Sequence, residues 1–461
     1  MSYGDIDDRS ARMATVLLSM GVNPGDRVMV QASKSIDGVA LYLASLRIGA
    51  VYVPLNTAYV DGEVSFFVTD AEPVVFISER TPGFELPEGT SVLSPEDLGQ
   101  RADQATPTTA VVTRLADDLA AMLYTSGTTG RSKGAMLSHA NLTSNAITLH
   151  QIWRFEPGDV LLHTLPIFHV HGLFVALHTA ILNRSEVIFL DRYSVDAVLS
   201  HLPESTVMMG VPTHYIRLLE DPRFNADHCV TMRLFTSGSA PMTEPVHEAF
   251  TERTGHHILE RYGMTEGGMM ISNPYEGARV PGTVGFPLPG VHVRIRNESG
   301  ELCGPGETGV LEVAGPNMFA GYWRLPERTE AEHRDDGFFI TGDVGFADAE
   351  GRVTLEGRSS DMIITGGLNV YPRELELVID AVVGVKESAV VGLPHPDFGE
   401  TPVAVIVTEG PPIDLENVQA ALDAAVARFK HPQRFEIVEE LPRNAMGKVQ
   451  KGVLRDRLAT T

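Results

Sequence analysis

Residues 124–134 read YTSGTTGRSKG and follow the apolar run LAAML at 119–123. A strand that opens into a Ser/Thr/Gly turn with one lysine gathers backbone N–H groups, hydroxyls and a cation. Those are the donors a polyphosphate requires. The Gly-x4-Gly-Lys-Ser/Thr spacing of a Walker loop is absent, so the turn is not that motif. Around it, short apolar runs alternate with amphipathic stretches. Residues 27–30 (RVMV) and 74–77 (VVFI) read as buried strands. Between them, 36–48 carries Val39, Leu41, Tyr42, Leu43 and Leu46 at helical spacing. Residues 207–210, 233–235 and 257–259 repeat the strand pattern. This alternation predicts an α/β fold of parallel strands covered by helices.

From about residue 284 the texture changes to shorter β runs separated by glycine, as in VHVRIR and TGVLEVAG, which predicts a small β subdomain. The strongest break is GRSSD at 357–361. Beyond it, a helix at 372–380, strands at 386–392 and 403–408, a helix at 415–429 and a strand at 434–438 predict an independent α+β domain. The proline-containing stretch 81–107 reads as a long surface connection. A length of 461 residues suits two or three units at about 150 residues each. The predicted organisation is a large N-terminal domain over 1–357, a hinge at 358–361 and a C-terminal domain over 362–461.

Hydrophobic residues at 43% and charged residues at 21% describe a globular chain rather than a disordered one. Asp and Glu outnumber Lys and Arg by 60 to 36, and a net charge of −24 argues against nucleic acid and anionic membrane partners. Cys229 and Cys303 have neither disulfide-framework nor metal-ligand spacing and read as reduced thiols, which points to the cytoplasm. The start, MSYGDIDDRSARM, has no apolar signal core. The longest apolar stretch, 172–182, is interrupted by His178 and Thr179 and is too short to span a bilayer. His163, His169, His171 and His178 lack a cysteine or HExxH frame, so zinc is not expected.

The 124–134 string resembles the phosphate-binding signature of the adenylate-forming superfamily, which contains acyl-CoA synthetases, peptide-synthetase adenylation domains and luciferases. Further stretches follow in the family's order. LPIFHVHG (165–172) resembles its acyl-site motif, GSAP (238–241) an adenine-pocket turn and YGMTE (262–266) the core nucleotide motif. TGD (341–343) resembles the ribose motif, GRSSDMIITGGLNVYPRELE (357–376) the hinge and following strand, and NAMGKVQK (444–451) the catalytic-lysine motif. The resemblance implies an AMP-forming acid–thiol ligase with a mobile C-terminal domain. A carboxylate attacks the α-phosphorus of ATP and expels pyrophosphate; the thiol of coenzyme A then displaces AMP.

It further implies roles for individual residues. Lys448, Thr265 and Glu266 are the expected catalytic group. Lys448 would neutralise both anions of the first step, and Glu266 would hold Mg²⁺, a hard cation suited to one carboxylate plus phosphate oxygens. ATP contacts are expected from Thr125, Ser126, Gly127, Thr128, Thr129, Gly130 and Lys133 on the loop, and from Gly238, Ser239 and Ala240. Glu260, Arg261, Tyr262, Gly263 and Met264 complete the nucleotide strand, with Tyr262 stacking on adenine. Asp343 and Arg358 would meet the ribose. Gly366 and Gly367 would line a tunnel for coenzyme A. Lys448 is also where some relatives are acylated, which makes a lysine acyltransferase a candidate partner; oligomeric state stays open.

SNPYEGARVPG (272–282) and the longer strings TSGTTGRSKGAMLSHANL, MGVPTHYIRLL and DDGFFITGD are similar to the malonyl-CoA synthetase subfamily. That resemblance implies malonate as the acid, with Arg279 holding its distal carboxylate as a bidentate fork and His169, Ser272, Met269 and Val170 around it. An acid without a second carboxylate would leave that guanidinium unpaired. Gly267 and Gly268 stand where the subfamily carries polar residues, and Val170 where threonine is common, which keeps methylmalonate and other short acids open. Ser360 replaces the Asp or Lys usual at the hinge. The first residues correspond to a segment that relatives reach later, remote from the motifs. No carrier serine motif follows, so loading of a carrier protein is the lesser reading.

Overall fold

The computed structural model covers residues 1–461 and describes all but 126–131, 366–367, 396–397, 411–412, 427, 445–446 and 460–461, together with the side chains of 360, 368, 369, 399 and 429. Ser126, Gly127, Thr128, Thr129 and Gly130 of the phosphate loop, Gly366 and Gly367 of the expected tunnel, and the side chain of Ser360 therefore lie outside the described residues.

Two parallel-rich sheets carry the N-terminal part. The first contains β1 (Arg27–Gln31), β2 (Val51–Pro54), β3 (Val75–Ser78), β4 (Ser91–Leu93), β5 (Leu119–Thr125) and β6 (Lys133–Ser138), in the order β4-β3-β1-β2-β5-β6. The second contains β7 (Val160–His163), β8 (Glu186–Phe189), β9 (Val207–Gly210), β10 (Leu234–Ser237), β11 (Leu259–Met264), β12 (Gly268–Ser272) and β13 (Phe286–Pro287), in the order β13-β12-β11-β10-β9-β7-β8. β2, β3, β9 and β10 are buried along their whole length, as expected when helices cover both faces. At one edge of each sheet the direction reverses: β6 runs antiparallel to β5, and β12 to β11.

The β subdomain is an antiparallel sheet of β14 (His292–Arg296), β15 (Gly309–Ala314), β16 (Phe339–Ala347) and β17 (Val353–Arg358). A single 3-10 turn, Ser359–Asp361, leads from it to the last sheet. That sheet holds β18 (Ile363–Thr365), β19 (Leu368–Val370), β20 (Val385–His395), β21 (Gly399–Thr408) and β22 (Arg434–Val438). Leu375 and Ile379 of helix Pro372–Asp380 and Val418 and Leu422 of helix Leu415–Ala425 join Val390, Ala404 and Ile406 in a separate core. The small C-terminal domain thus buries its own apolar cluster beside the large one.

Three expectations change. Residues 81–107 are not a bare connection: they contain β4 and the helix Pro95–Gln104. Ser94 accepts the Asp97 N–H at 2.9 Å and Pro95 occupies the first turn, so the proline starts a helix instead of breaking one. The helix expected over 415–429 stops at Ala425, because Val426 turns extended (φ −135°, ψ 154°) and packs on the C-terminal core. The strand expected at 257–259 starts at Leu259 and runs to Met264, so most of the nucleotide motif is itself a strand. Among the described residues no helix is long and apolar enough to cross a membrane.

Candidate active site

The chemistry gathers beyond the C-terminal ends of β7, β9, β10 and β11, where open parallel sheets place their ligands. Ser239, just past β10, adopts φ +69°, a strained left-handed conformation for a residue with a side chain. Gly238 beside it has no room for one: a Cβ there would lie 1.9 Å from Arg261 Nη1. The turn is shaped around that arginine.

Arg261 is 4% exposed. Its Nη2 meets His171 Nε2, and its Nε has no partner. Burial pushes the guanidinium down to about 9, and the Tyr215 phenol, not a carboxylate, is the group that offsets this. Beside it, His171 Nδ1 faces Ser239 Oγ at 3.2 Å, and His169 Nδ1 accepts the His171 N–H at 3.2 Å. Burial first, and Arg261 second, hold His169 down at about 4 and His171 well below the ordinary histidine value. Both rings are neutral at pH 7, so the local charge is the single positive one of Arg261. Arg261 is thus a buried cation with one N–H lacking a described partner, set beside two neutral imidazoles, an arrangement that suits an anion.

The structure does not bring Arg279 to this pocket. Its guanidinium donates to the carbonyls of His257 (2.6 Å), Tyr275 (2.8 Å) and Pro274 (3.3 Å), which occupy its fork. His257 precedes Arg261 by four residues, about 13 Å of extended chain, and lies two residues before the start of β11. Ser272 is also otherwise engaged, accepting from Trp153 Nε1 at 3.1 Å and donating to Asn273 O at 2.8 Å. The backbone N–H and C=O of Met269 are tied to Asn145. Val170 is 3% exposed and borders a small cavity with Phe174, Asn145 and Gly268.

Alternation along β11 sends Glu260 and Tyr262 to the face opposite Arg261. Glu260 accepts the Gly282 N–H at 3.2 Å, and burial raises it to about 8. The folded state therefore holds a proton that the unfolded chain releases near pH 4.5. Stability from this group is present below that pH and is lost as pH rises through about 8. Glu260→Gln is expected to flatten the fall in melting temperature between pH 5 and pH 9, measured by calorimetry.

The Tyr262 hydroxyl donates to the Asp343 carboxylate, and Arg358 Nε holds the other oxygen at 2.6 Å. Register explains the meeting, since Asp343 and Arg358 are cross-strand partners in β16 and β17. Lys448 stands nearby. Desolvation at the domain junction and then Arg358 lower its ammonium from the ordinary lysine value, with Asp343 and Asp361 opposing. The loop before it is seated on the large domain: Gly447 has φ +75°, and a Cβ there would lie 2.9 Å from Oγ1 of Thr213, in the first turn of helix Pro212–Glu220. At the other end of that helix Glu220 pairs with Lys386 of β20 at 2.7 Å.

Glu266 follows the half-buried Thr265 and is 5% exposed. The Tyr322 hydroxyl lies between its Oε1 (2.9 Å) and Glu332 Oε2 (2.7 Å), and Lys133 pairs with Glu332 at 2.9 Å above the Tyr322 ring. One hydroxyl proton cannot serve two carboxylates. Burial raises the Glu266 carboxyl, while the Tyr322 and Lys133 partners outweigh burial at Glu332 and lower it. A single buried carboxylate beside a cation suits Mg²⁺, which takes one or two protein oxygens with phosphates and waters. Among the described residues no three acidic, histidine or cysteine groups converge into a metal cage. Tyr322 and Glu332 escaped the sequence reading because no local string marks them, and Thr213 lies in the quoted MGVPTHYIRLL string without a role having been read for it.

Residues 1–323 match the AMP-binding enzyme family and residues 374–448 the AMP-binding enzyme C-terminal domain. Malonate–CoA ligase of Arabidopsis thaliana is 34% identical over 99% of this chain and 84% of its own length. A feruloyl-CoA synthase of an Amycolatopsis species is also 34% identical, over 99% of this chain and 94% of its own length. The crystal structure of ATP-bound MatB from Rhodopseudomonas palustris superposes with a TM-score of 0.95 at 50% identity, covering 100% of this chain and 94% of that one.

Proposed function

Since the chain belongs to the AMP-binding enzyme family, we propose that it is an ATP-dependent malonate–CoA ligase, forming malonyl-CoA, AMP and pyrophosphate through a malonyl-adenylate. The observation that carries the choice of acid is Arg261, a buried guanidinium that, among the described residues, has an N–H without a partner and no carboxylate against it, beside two neutral histidines. The second carboxylate of malonate pairs with that guanidinium, and a monocarboxylate leaves the buried charge without a partner. In this reading Arg261, not Arg279, pairs with the distal carboxylate, with the His169 Nε2–H and Ser239 beside it.

The reacting carboxylate then faces the α-phosphorus. Tyr262 and Gly263 flank adenine, and Asp343, fixed by Tyr262 and Arg358, accepts from the ribose. Lys133, Thr125 and Thr265 meet the phosphates. Mg²⁺ held by Glu266 would neutralise phosphate charge. Lys448 neutralises the attacking carboxylate and the α-phosphoryl oxygens as the bond to pyrophosphate lengthens. For the second step the C-terminal domain, 362–461, turns about 358–361 to admit coenzyme A, which moves Lys448 away. Acylation of Lys448 by a lysine acyltransferase would remove that cation. Soluble anionic substrates and two free cysteines favour the cytoplasm.

Gly447→Ala tests the docked pose. The added methyl collides with Thr213, and the φ of +75° disfavours any side chain, so adenylation should fall at least about tenfold while thioester formation from supplied malonyl-adenylate changes little. Methylmalonate is the alternative acid, since Gly267, Gly268 and Val170 depart from the residues usual in the subfamily. Thioester formation with acetate, propionate, malonate, methylmalonate and succinate tests the assignment: malonate is expected to lead. Comparable turnover of all five would refute it.

A further inference from the structure

Thr125 and Lys133 are cross-strand partners at the open end of the β5–β6 hairpin, and the pair behind them is Tyr124 and Gly134. Both members of that second pair are tied to Asp70, at the C-terminal end of helix Asp61–Ala71. The Tyr124 hydroxyl donates to Asp70 Oδ2 at 2.6 Å, and its ring packs 4.4 Å from that of Phe67. Gly134 O accepts the Trp323 N–H at 2.7 Å, and the Trp323 indole N–H donates to Asp70 O at 3.0 Å. The circuit is closed.

Little in it can slide. A Cβ at Gly134 would lie 2.9 Å from Met122 Sδ and 3.3 Å from Trp323 Cβ. Arg27 and Arg324 each hold a guanidinium 5.4 Å from the Trp323 ring centre. Arg27 also donates to the carbonyls of Ala71 (2.7 Å) and Glu72 (2.8 Å), fixing the helix end that carries Asp70. Asp70 is unsuited to bind phosphate itself, being an anion, and the Tyr124 hydroxyl is already spent on it. The circuit acts on where Thr125 and Lys133 stand.

We propose that the Asp70 carboxylate, acting through Tyr124, is a positioning residue for ATP: it fixes the hairpin stem so that Thr125 and Lys133 meet the phosphates. This rests on the reading of Thr125 and Lys133 as phosphate contacts. The test uses the full chain with Tyr124→Phe, Asp70→Ala, Asp70→Asn, the Asp70→Ala/Tyr124→Phe pair, and Lys133→Ala as a control on the reading. Two reactions are followed: ATP-dependent pyrophosphate release with malonate, and thioester formation from supplied malonyl-adenylate.

Loss of a hydrogen bond to a charged group is expected to raise KM for ATP about five- to tenfold in Tyr124→Phe and Asp70→Ala. KM for malonate and the thioester reaction should stay within about twofold, and the pair should be no worse than Asp70→Ala, because both remove one interaction. Asp70→Asn keeps an acceptor oxygen and should restore KM to within about twofold of the unaltered enzyme. An unchanged KM for ATP in Tyr124→Phe and Asp70→Ala, with Lys133→Ala raising it, overturns the proposal alone. An unchanged KM in all three overturns the phosphate reading with it. An equal loss in both reactions shows a merely structural role and also overturns the proposal. Should Asp70→Ala fail to fold, Tyr124→Phe decides.

Discussion

Lys448→Ala is expected to slow malonyl-adenylate formation by about 10²–10³-fold or more and to leave thioester formation from supplied malonyl-adenylate within about twofold. The asymmetry follows from where the lysine stands. Its ammonium shares the end of the site with Arg358 and Asp343, held there by the seating of Gly447 on Thr213. Two anions must approach each other in the first step and only there is a mobile cation required. The sign of the pH dependence is fixed as well. Desolvation and Arg358 lower the lysine, and only its protonated form helps, so adenylation falls as pH rises and the limb lies below the ordinary lysine value. Stopped-flow or quenched measurement of pyrophosphate release against pH, beside the thioester reaction, checks both.

Arg261→Met is expected to cost malonate about 10²–10³-fold in kcat/KM, the range for removing one partner of a buried charge pair. Methionine fills much of the volume and relieves the desolvated charge, so folding is preserved and a monocarboxylate such as propionate loses little. Arg279→Ala is the contrasting variant. Its guanidinium serves the carbonyls of 257, 274 and 275, so its loss loosens that loop and lowers the melting temperature, while KM for malonate shifts less than about threefold. A reversed ranking of the two arginines would return the carboxylate fork to Arg279.

The two arginines also show where sequence reading stops. Each sits in a short motif, and nothing in either string tells what its N–H groups touch. Arg279 satisfies itself on carbonyls of its own neighbourhood, whereas Arg261 keeps one N–H without a described partner while its Nη1 fills the space a side chain at 238 would need. Tyr262, Asp343, Arg358 and Lys448 were easier: each is embedded in a string rich in Gly or Thr that marks a turn, and the fold brings all four together. The alternation of strands and helices was legible because the apolar period changes along the chain. The helix Pro95–Gln104 was not, since proline marks both a break and a first turn and only the Ser94 cap decides between them. Asp70, Trp323, Tyr322 and Glu332 lie tens to hundreds of residues from the atoms they orient, so no local pattern announces them.

The central claim, that a second carboxylate selects the acid, is tested most directly by competition. Equimolar malonate and propionate are offered with ATP and coenzyme A, and the thioesters formed are separated and quantified. Pairing with the buried guanidinium predicts malonyl-CoA in excess by about 10²-fold or more. Equal amounts of the two thioesters, or more propionyl-CoA, would contradict it.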